Sequence, residues 1–390
     1  MKKLSFLTKE LEELEKSGLY RRLRIISSSQ EAQVIIGKKK YLSFSSNNYL
    51  GLATHQRVKD AAIEAIKKYG CGAASSRLIS GTMELHDQLE KRIALFEGKE
   101  AAILYPTGYT ANVGTITSLV DENDVILLDR LNHASIIDAA RLSKAKIAVY
   151  PHCDPAKLNA ALKRYSKHRR KLVITDSVFS MDGDLAPLPQ IIEVAKKHDA
   201  IIMIDEAHAT GVLGENGRGA SEYFRVEDTI DIKMGTLSKA VGGLGGFVVG
   251  SSDLIEFLRN KARSFIYTTA LPPAVCAASI EALNIIEDDP ERRQKYWDMV
   301  TYIRNGLKSM GYNTGASSTQ IIPVIIGDEK KTMEISKFLY ENNILAPGIR
   351  YPTVPKNEAR VRLTMMATHS QEDIIKLLSA FEKIKQKFYS

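Results

Sequence analysis

Seven short apolar runs punctuate the middle of the chain, at Ala101–Tyr105, Val125–Leu128, Ile147–Tyr150, Leu172–Thr175, Ile201–Ile204, Ile230–Met234 and Phe247–Val249. Segments with the apolar spacing of helices separate most of them. Strands that alternate with helices imply a mostly parallel sheet covered by helices on both faces. Ligands in such folds bind at the carboxyl ends of the strands. The residues that follow each run are therefore the ones to weigh.

After the first run, Pro106-Thr107-Gly108-Tyr109 leads into a helix. A small-residue turn at a helix start offers free backbone N–H groups and a favourable dipole, which suits a phosphate. The second run is followed by Asp129-Arg130-Leu131-Asn132-His133, the fourth by Asp176 through Gly183 with Ser180 inside, and the fifth by Asp205-Glu206-Ala207-His208. The sixth leads to Thr236, Ser238 and Lys239, then to Gly242, Gly243, Gly245, Gly246 and Gly250. Glycine at that density lets the backbone approach something closely. A lysine between hydroxyls and a glycine loop is placed for chemistry on a phosphorylated carbonyl compound. Each feature alone has a plain reading: a strand-end aspartate caps, a histidine is a satisfied structural group, and a loop lysine is solvated. Their convergence on one sheet edge is the argument.

Composition excludes several classes. At 390 residues the chain suggests about two domains. No run of eighteen apolar residues spans a membrane. The N-terminus turns acidic by Glu10 without an apolar stretch, so secretion is not expected and the cytoplasm is. Cys71, Cys153 and Cys276 lie far apart, which argues for a reducing compartment and against a metal site. The net charge of +8 permits a polyanionic partner, but basic residues on solvated helix faces account for it. Asp205-Glu206-Ala207-His208 invites comparison with the Walker B segment of RNA helicases. That reading needs a GxxxxGK[ST] loop upstream, and none occurs, so nucleic acid is not an expected partner.

The flanks read more simply. Leu4, Leu7, Leu11 and Leu14 predict an amphipathic helix over about 4–17, followed by the cluster Arg21, Arg22, Arg24. A turn near Lys38–Lys40 precedes Ser45-Ser46-Asn47-Asn48-Tyr49-Leu50-Gly51. Helical patterns cover 56–68, the stretch from Leu85 to Phe96, 273–311 and 371–388, with strands expected near 321–326 and 360–363.

The strings SSNNYLG, TGYTAN, LNHASIIDA, VFSMDGDLAPL, DEAHATGVLGENGRG, GTLSKAVGGLGG and IRYPTVP…ARVRLT resemble the α-oxoamine synthases, which are fold-type I pyridoxal-phosphate enzymes. The resemblance runs from about Gly18 to the C-terminus. It implies an N-terminal arm (1–40), a large cofactor domain (41–285) and a smaller C-terminal α/β domain (286–390), in a homodimer. It also implies pyridoxal 5'-phosphate (PLP) as cofactor and decarboxylative condensation of an amino acid with an acyl thioester. The resemblance favours L-alanine with pimeloyl-CoA or pimeloyl-acyl carrier protein, a step of biotin synthesis; the alternative is glycine with acetyl-CoA.

Roles follow from the resemblance, residue by residue. Lys239 would condense with the cofactor aldehyde and later serve as the base at the substrate Cα. Asp205 would face the pyridine nitrogen and keep it protonated. His208 and Ser180 would lie near the phenolic oxygen, and His133 would stack on the ring face and contact substrate. Gly108, Tyr109 and Thr236 would hold the phosphate. Asn47 and Arg362 would grip the substrate carboxylate. Arg21 and Thr353 would meet the acyl donor, with Arg24 the second candidate for that task. Ser177, Glu206 and the Gly72-Ala-Ala-Ser loop depart from the family pattern without removing a catalytic group. Gly108, Thr110 and Thr353 differ from what the acetyl-transferring relatives carry, and so favour the longer acyl group.

Overall fold

The computed structural model describes residues 3–389. Among the described residues thirteen strands are distributed over three sheets: β1 (Gln33–Ile36), β2 (Lys39–Ser43), β3 (Ala101–Tyr105), β4 (Val125–Asp129), β5 (Lys146–Tyr150), β6 (Lys171–Asp176), β7 (Ile201–Asp205), β8 (Ile232–Thr236), β9 (Gly246–Gly250), β10 (Ile321–Gly327), β11 (Ile344–Leu345), β12 (Gly348–Ile349) and β13 (Ala359–Thr364). The seven strands expected from the apolar runs form one sheet in the order β3-β9-β8-β7-β6-β4-β5. Only β9 runs antiparallel to its neighbours. Its reversal matters, because Gly246 pairs with both Tyr105 and Thr236 and so brings the glycine loop to the carboxyl edge.

Side chains of β3 divide by period two. Ala102 and Leu104 pack with Leu89, Ile93 and Phe96 of the helix Glu84–Glu97 and with Leu283 and Ile286 of the helix Pro273–Asp288. Ile103 and Tyr105 point the other way, into a core with Ile126, Ile136 and Leu258. Helices thus cover both faces, which is the fold-type I arrangement, with a smaller C-terminal domain after it. In that domain β10, β13 and β12 form an antiparallel sheet under the helices Glu329–Glu341 and Gln371–Phe388.

The expected helical stretch from Pro273 to Gly311 is two helices, Pro273–Asp288 and Pro290–Ser309. Pro290 has no N–H to continue the first helix, and the Asp289 carboxylate accepts the Arg292 amide to start the second. The N-terminal helix is Phe6–Lys16, and none of its residues is buried within this chain. Among the described residues no helix is long and apolar enough to cross a membrane.

The third sheet joins distant segments. β1 and β2 form the hairpin read around Lys38, and β2 pairs in parallel with β11. The Phe44 amide donates to the Leu345 carbonyl, and the Thr364 amide donates to the Phe44 carbonyl. The segment carrying Asn47 is thereby fastened to the strand carrying Arg362.

Candidate active site

At the carboxyl edge of the large sheet lies a cavity of about 210 Å³, lined by Gly108, Tyr109, Asn112, His133, Ser135, Asp176, Asp205, Ala207, His208, Met234, Thr236, Ser238 and Lys239. Most of these residues stand at a strand end or in the turn that follows; Asn112 and Ser135 reach it from the helices Gly108–Leu119 and Ala134–Ser143.

The anion-binding end is built by the turn after β3. Thr107 caps the helix Gly108–Leu119 by accepting the Thr110 amide at 3.1 Å, while the Thr110 hydroxyl lies 3.0 Å from the Thr107 amide. The Gly108 and Tyr109 amides at the first positions have no acceptor within the helix. Thr236 and Ser238 stand beside them; a Cβ at Gly108 would lie 3.6 Å from the Thr236 side chain. The Thr236 hydroxyl donates to the Gly245 carbonyl at 2.8 Å and so locks the glycine loop to β8.

The acidic end is built by β6 and β7. Asp205 accepts the Asn112 side-chain amide at 2.9 Å and the Ala207 backbone amide at 2.9 Å. Asp176 is its register neighbour and accepts the His133 amide at 2.8 Å. Burial, and then the nearby Asp205 carboxylate, push the Asp176 carboxyl well above its usual range. His133 ends the turn after β4, and its Nδ1 lies 2.8 Å from the Ser135 hydroxyl. Burial lowers the His133 pKa; Asp205 opposes that and Lys239 reinforces it.

Lys239 completes the cavity. Its amine has neither a hydrogen bond nor an ion pair among the described residues. Burial pushes its pKa down to about 8 against the pull of Asp205 and Asp176, with Arg362 adding to the depression. A lysine amine held so low is an available nucleophile and base near neutral pH.

His208 is buried, and burial together with the charges of Lys239, Arg362 and His133 holds its pKa well below the ordinary value. Gln320 donates to its carbonyl at 2.5 Å, and its Nδ1 lies 2.7 Å from the Tyr49 hydroxyl. Arg362 donates through Nε to the Ser180 carbonyl at 2.5 Å and reaches the Asn47 oxygen at 3.5 Å. Ser180 thus meets the site through its carbonyl, and its side chain is not among those lining the cavity. Arg21 and Thr353 share a separate cleft of about 760 Å³ with Leu14, Met333 and Arg350. Arg24 is elsewhere, with its guanidinium 4.9 Å from the centre of the Tyr340 ring.

The turns are fastened to each other from behind. His152, just after β5, contacts Asp129 at 2.9 Å through Nδ1 and Asp184 at 2.8 Å through Nε2. It therefore ties the loops that carry His133 and Ser180. Sequence reasoning assigned no role to Asn112, Ser135, Asp176 or Tyr49. Asn112 could have been found, because it stands one helical turn beyond Gly108 on the same face. Asp176 could have been found by aligning β6 with β7.

Residues 39–381 match the family described as aminotransferase class I and II. An 8-amino-7-oxononanoate synthase of Thermoanaerobacter pseudethanolicus is 50% identical over 98% of this chain and 97% of its own length. This chain is an α-oxoamine synthase of the aminotransferase class I and II family. A second 8-amino-7-oxononanoate synthase, from Petrotoga mobilis, is 49% identical over 97% of both chains. Among solved structures, a serine palmitoyltransferase of Sphingomonas wittichii superposes with a TM-score of 0.93 at 33% identity, covering 99% of this chain and 98% of the other. The 8-amino-7-oxononanoate synthase of Francisella tularensis gives 0.78 at 28% identity, over 90% and 99%.

The α-oxoamine synthases are PLP-dependent transferases, and the residues present suit that cofactor. The cavity offers free amides and hydroxyls at one end, a paired carboxylate at the other, and an unpartnered amine on its wall. Gly108, Tyr109, Thr236 and Ser238 would hold the phosphate, Asp205 the ring nitrogen, His208 the phenolic oxygen and Lys239 the aldehyde carbon.

Proposed function

We propose that this enzyme condenses L-alanine with a pimeloyl thioester, releasing CO2 and the free thiol and forming 8-amino-7-oxononanoate for biotin synthesis. The seven-carbon acyl group and the two alanine carbons that survive decarboxylation make the nine-carbon product. The near-full-length likeness to 8-amino-7-oxononanoate synthases carries this reading.

Bound PLP supplies the electron sink that lets the substrate Cα give up a proton and later a carboxylate. The protein does the rest. Asn47 and Arg362 hold the amino acid by its carboxylate, the guanidinium fork matching it in geometry and charge. Lys239, with its pKa about 8, accepts the Cα proton and returns one at the end. Asp205, its carboxylate oriented by the Asn112 side-chain amide and the Ala207 backbone amide, would face the ring nitrogen. His133, held by Asp176 and Ser135 on the cavity wall, would lie against the face of the cofactor ring. The acyl donor enters through the cleft lined by Arg21 and Thr353, where apolar Leu14 and Met333 suit a methylene chain. Arg21 rather than Arg24 meets the donor, since only Arg21 lines that cleft.

The enzyme acts as a cytoplasmic homodimer in this proposal. Leu23, Ile25 and Ile79 are more than four-fifths exposed in the single chain, and the apolar face of the helix Phe6–Lys16 is uncovered. A second copy would bury such surface.

Steady-state assays with paired substrates test the donor. Each buried methylene contributes about 0.8 kcal/mol. Two or three of them plus one polar contact place kcat/KM for pimeloyl-CoA with L-alanine at least roughly a hundredfold above acetyl-CoA with glycine. Equal rates, or preference for glycine with acetyl-CoA or serine with palmitoyl-CoA, would reject the assignment.

A further inference from the structure

The Tyr49 hydroxyl stands at a junction the reaction scheme does not use. It is 2.7 Å from His208 Nδ1 and 3.1 Å from Asn47 Oδ1. Tyr49 is fully buried, tilted against Tyr296 at 6.4 Å between ring centres, so its hydroxyl cannot turn to water. One atom thus touches the residue that would grip the substrate carboxylate and the residue that faces the cofactor's phenolic oxygen.

His208 is enclosed among Lys239, Arg362 and His133, and burial disfavours its charged form. A neutral imidazole carries one proton, on Nδ1 or on Nε2, and its partners decide which. A hydroxyl has a single hydrogen to give. If it goes to Asn47, then His208 Nδ1 must donate and Nε2 is left a bare acceptor. If it goes to Nδ1, then Nε2 carries the proton and donates. Arg362, which has only donors, already reaches Asn47 Oδ1 at 3.5 Å and competes with the tyrosine for that oxygen. An ionised phenolic oxygen on the ligand side also calls for a donor.

We propose that Tyr49 is a positioning residue that donates its hydroxyl hydrogen to His208 Nδ1, fixing the Nε2–H tautomer that points a donor at the cofactor's phenolic oxygen. The inference rests on the PLP reading of the cavity and not on the identity of the acyl donor. Its chemistry is a choice between two hydrogen-bond patterns, with no bond made or broken in the tyrosine. The hydrogen is then spent on His208 while Asn47 Oδ1 is left to the Arg362 guanidinium, so loss of the hydroxyl disturbs turnover more than amino-acid affinity.

The test is the nitrogen-15 spectrum of side-chain-labelled histidine in PLP-loaded enzyme, with His208 assigned by the signal missing in His208→Asn. In the parent enzyme Nε2 should be protonated and Nδ1 bare. Tyr49→Phe keeps the buried ring and removes the hydroxyl. It should give a mixture of the two tautomers, lower kcat by roughly tenfold, and leave KM for L-alanine within about twofold. A proton on Nδ1 in the parent overturns the proposal, and so does a single Nε2–H tautomer surviving in Tyr49→Phe. The parent spectrum decides the matter even if the variant does not fold. Because no acyl donor is present, a wrong donor assignment leaves the spectrum unchanged.

Discussion

Gly246→Ala isolates the close approach between the glycine loop and the anion-binding turn. Gly246 opens β9 without a positive φ, so alanine meets no conformational penalty there. Its Cβ, however, would stand 2.5 Å from the Thr107 carbonyl oxygen and 2.7 Å from the Gly108 nitrogen and Cα. Those atoms are backbone and cannot rotate away. Restoring ordinary contact at 3.4 Å pushes the turn back by about 0.9 Å at Thr107. Thr107 caps the helix Gly108–Leu119, so the Gly108 and Tyr109 amides move with it. Overpacking of this kind costs about 1–3 kcal/mol, which corresponds to roughly 5- to 150-fold in affinity for the cofactor. The assay is titration of stripped enzyme with PLP, followed by visible absorbance. Gly243→Ala is the control: its Cβ would meet Ser279 Oγ at 2.9 Å, a side-chain atom without a partner that can turn aside. Its affinity should stay within about twofold of the parent. An unchanged Kd in Gly246→Ala, or equal weakening in both variants, refutes the argument from backbone contact.

Two further outcomes depend on pH. With the Lys239 amine pushed down to about 8 by burial, the rate at which stripped enzyme recaptures PLP should rise with a midpoint near pH 8; a midpoint near the ordinary 10.5 would mean the amine is not enclosed. Burial opposes a charged His152, but Asp129 and Asp184 outweigh it and hold the ring's pKa up at about 12. His152→Gln should therefore lower stability by about 2–4 kcal/mol in urea unfolding at pH 6. The proton is bound in both states below about pH 6.5 and only in the folded state above it. The gap to the parent should thus be largest at pH 6 and narrow as pH rises toward 12, and a constant or widening gap would exclude the charged clamp.

The strand ends were legible because the sheet's chemistry is local in sequence. An apolar run announces a strand, and the few residues after it are at the edge by construction. Lys239, Asp205, His208, His133 and the Gly108 turn were all readable in this way, and they line one cavity. What the glycines at 242–246 approach was not readable, since their neighbours are Leu52, Ala53, Thr107 and Gly108, far off in the chain. Arg21 and Arg24 could not be told apart because no periodicity constrains that connector; only folding sends Arg24 to Tyr340 and Arg21 to the cleft of Thr353. The clamp at His152 was hidden for the same reason, being assembled from three turns. Tyr49 looked like a core aromatic in a loop, and the ring is one; its hydroxyl acquires meaning only beside His208.

The joining of β2 to β11, and of Phe44 to Thr364, has a consequence for synthesis on the ribosome. Asn47 and Arg362 are 315 residues apart, so the carboxylate grip needs nearly the whole chain. At about 5–20 residues per second, translation takes roughly 16–63 s to pass from one to the other. The large sheet, complete by Gly250, can collapse well before then. From Gly250 until Arg362 is made, the nascent enzyme carries its lysine and its anion turn but lacks the arginine of the carboxylate grip. Substrate binding is the last competence the growing polypeptide acquires.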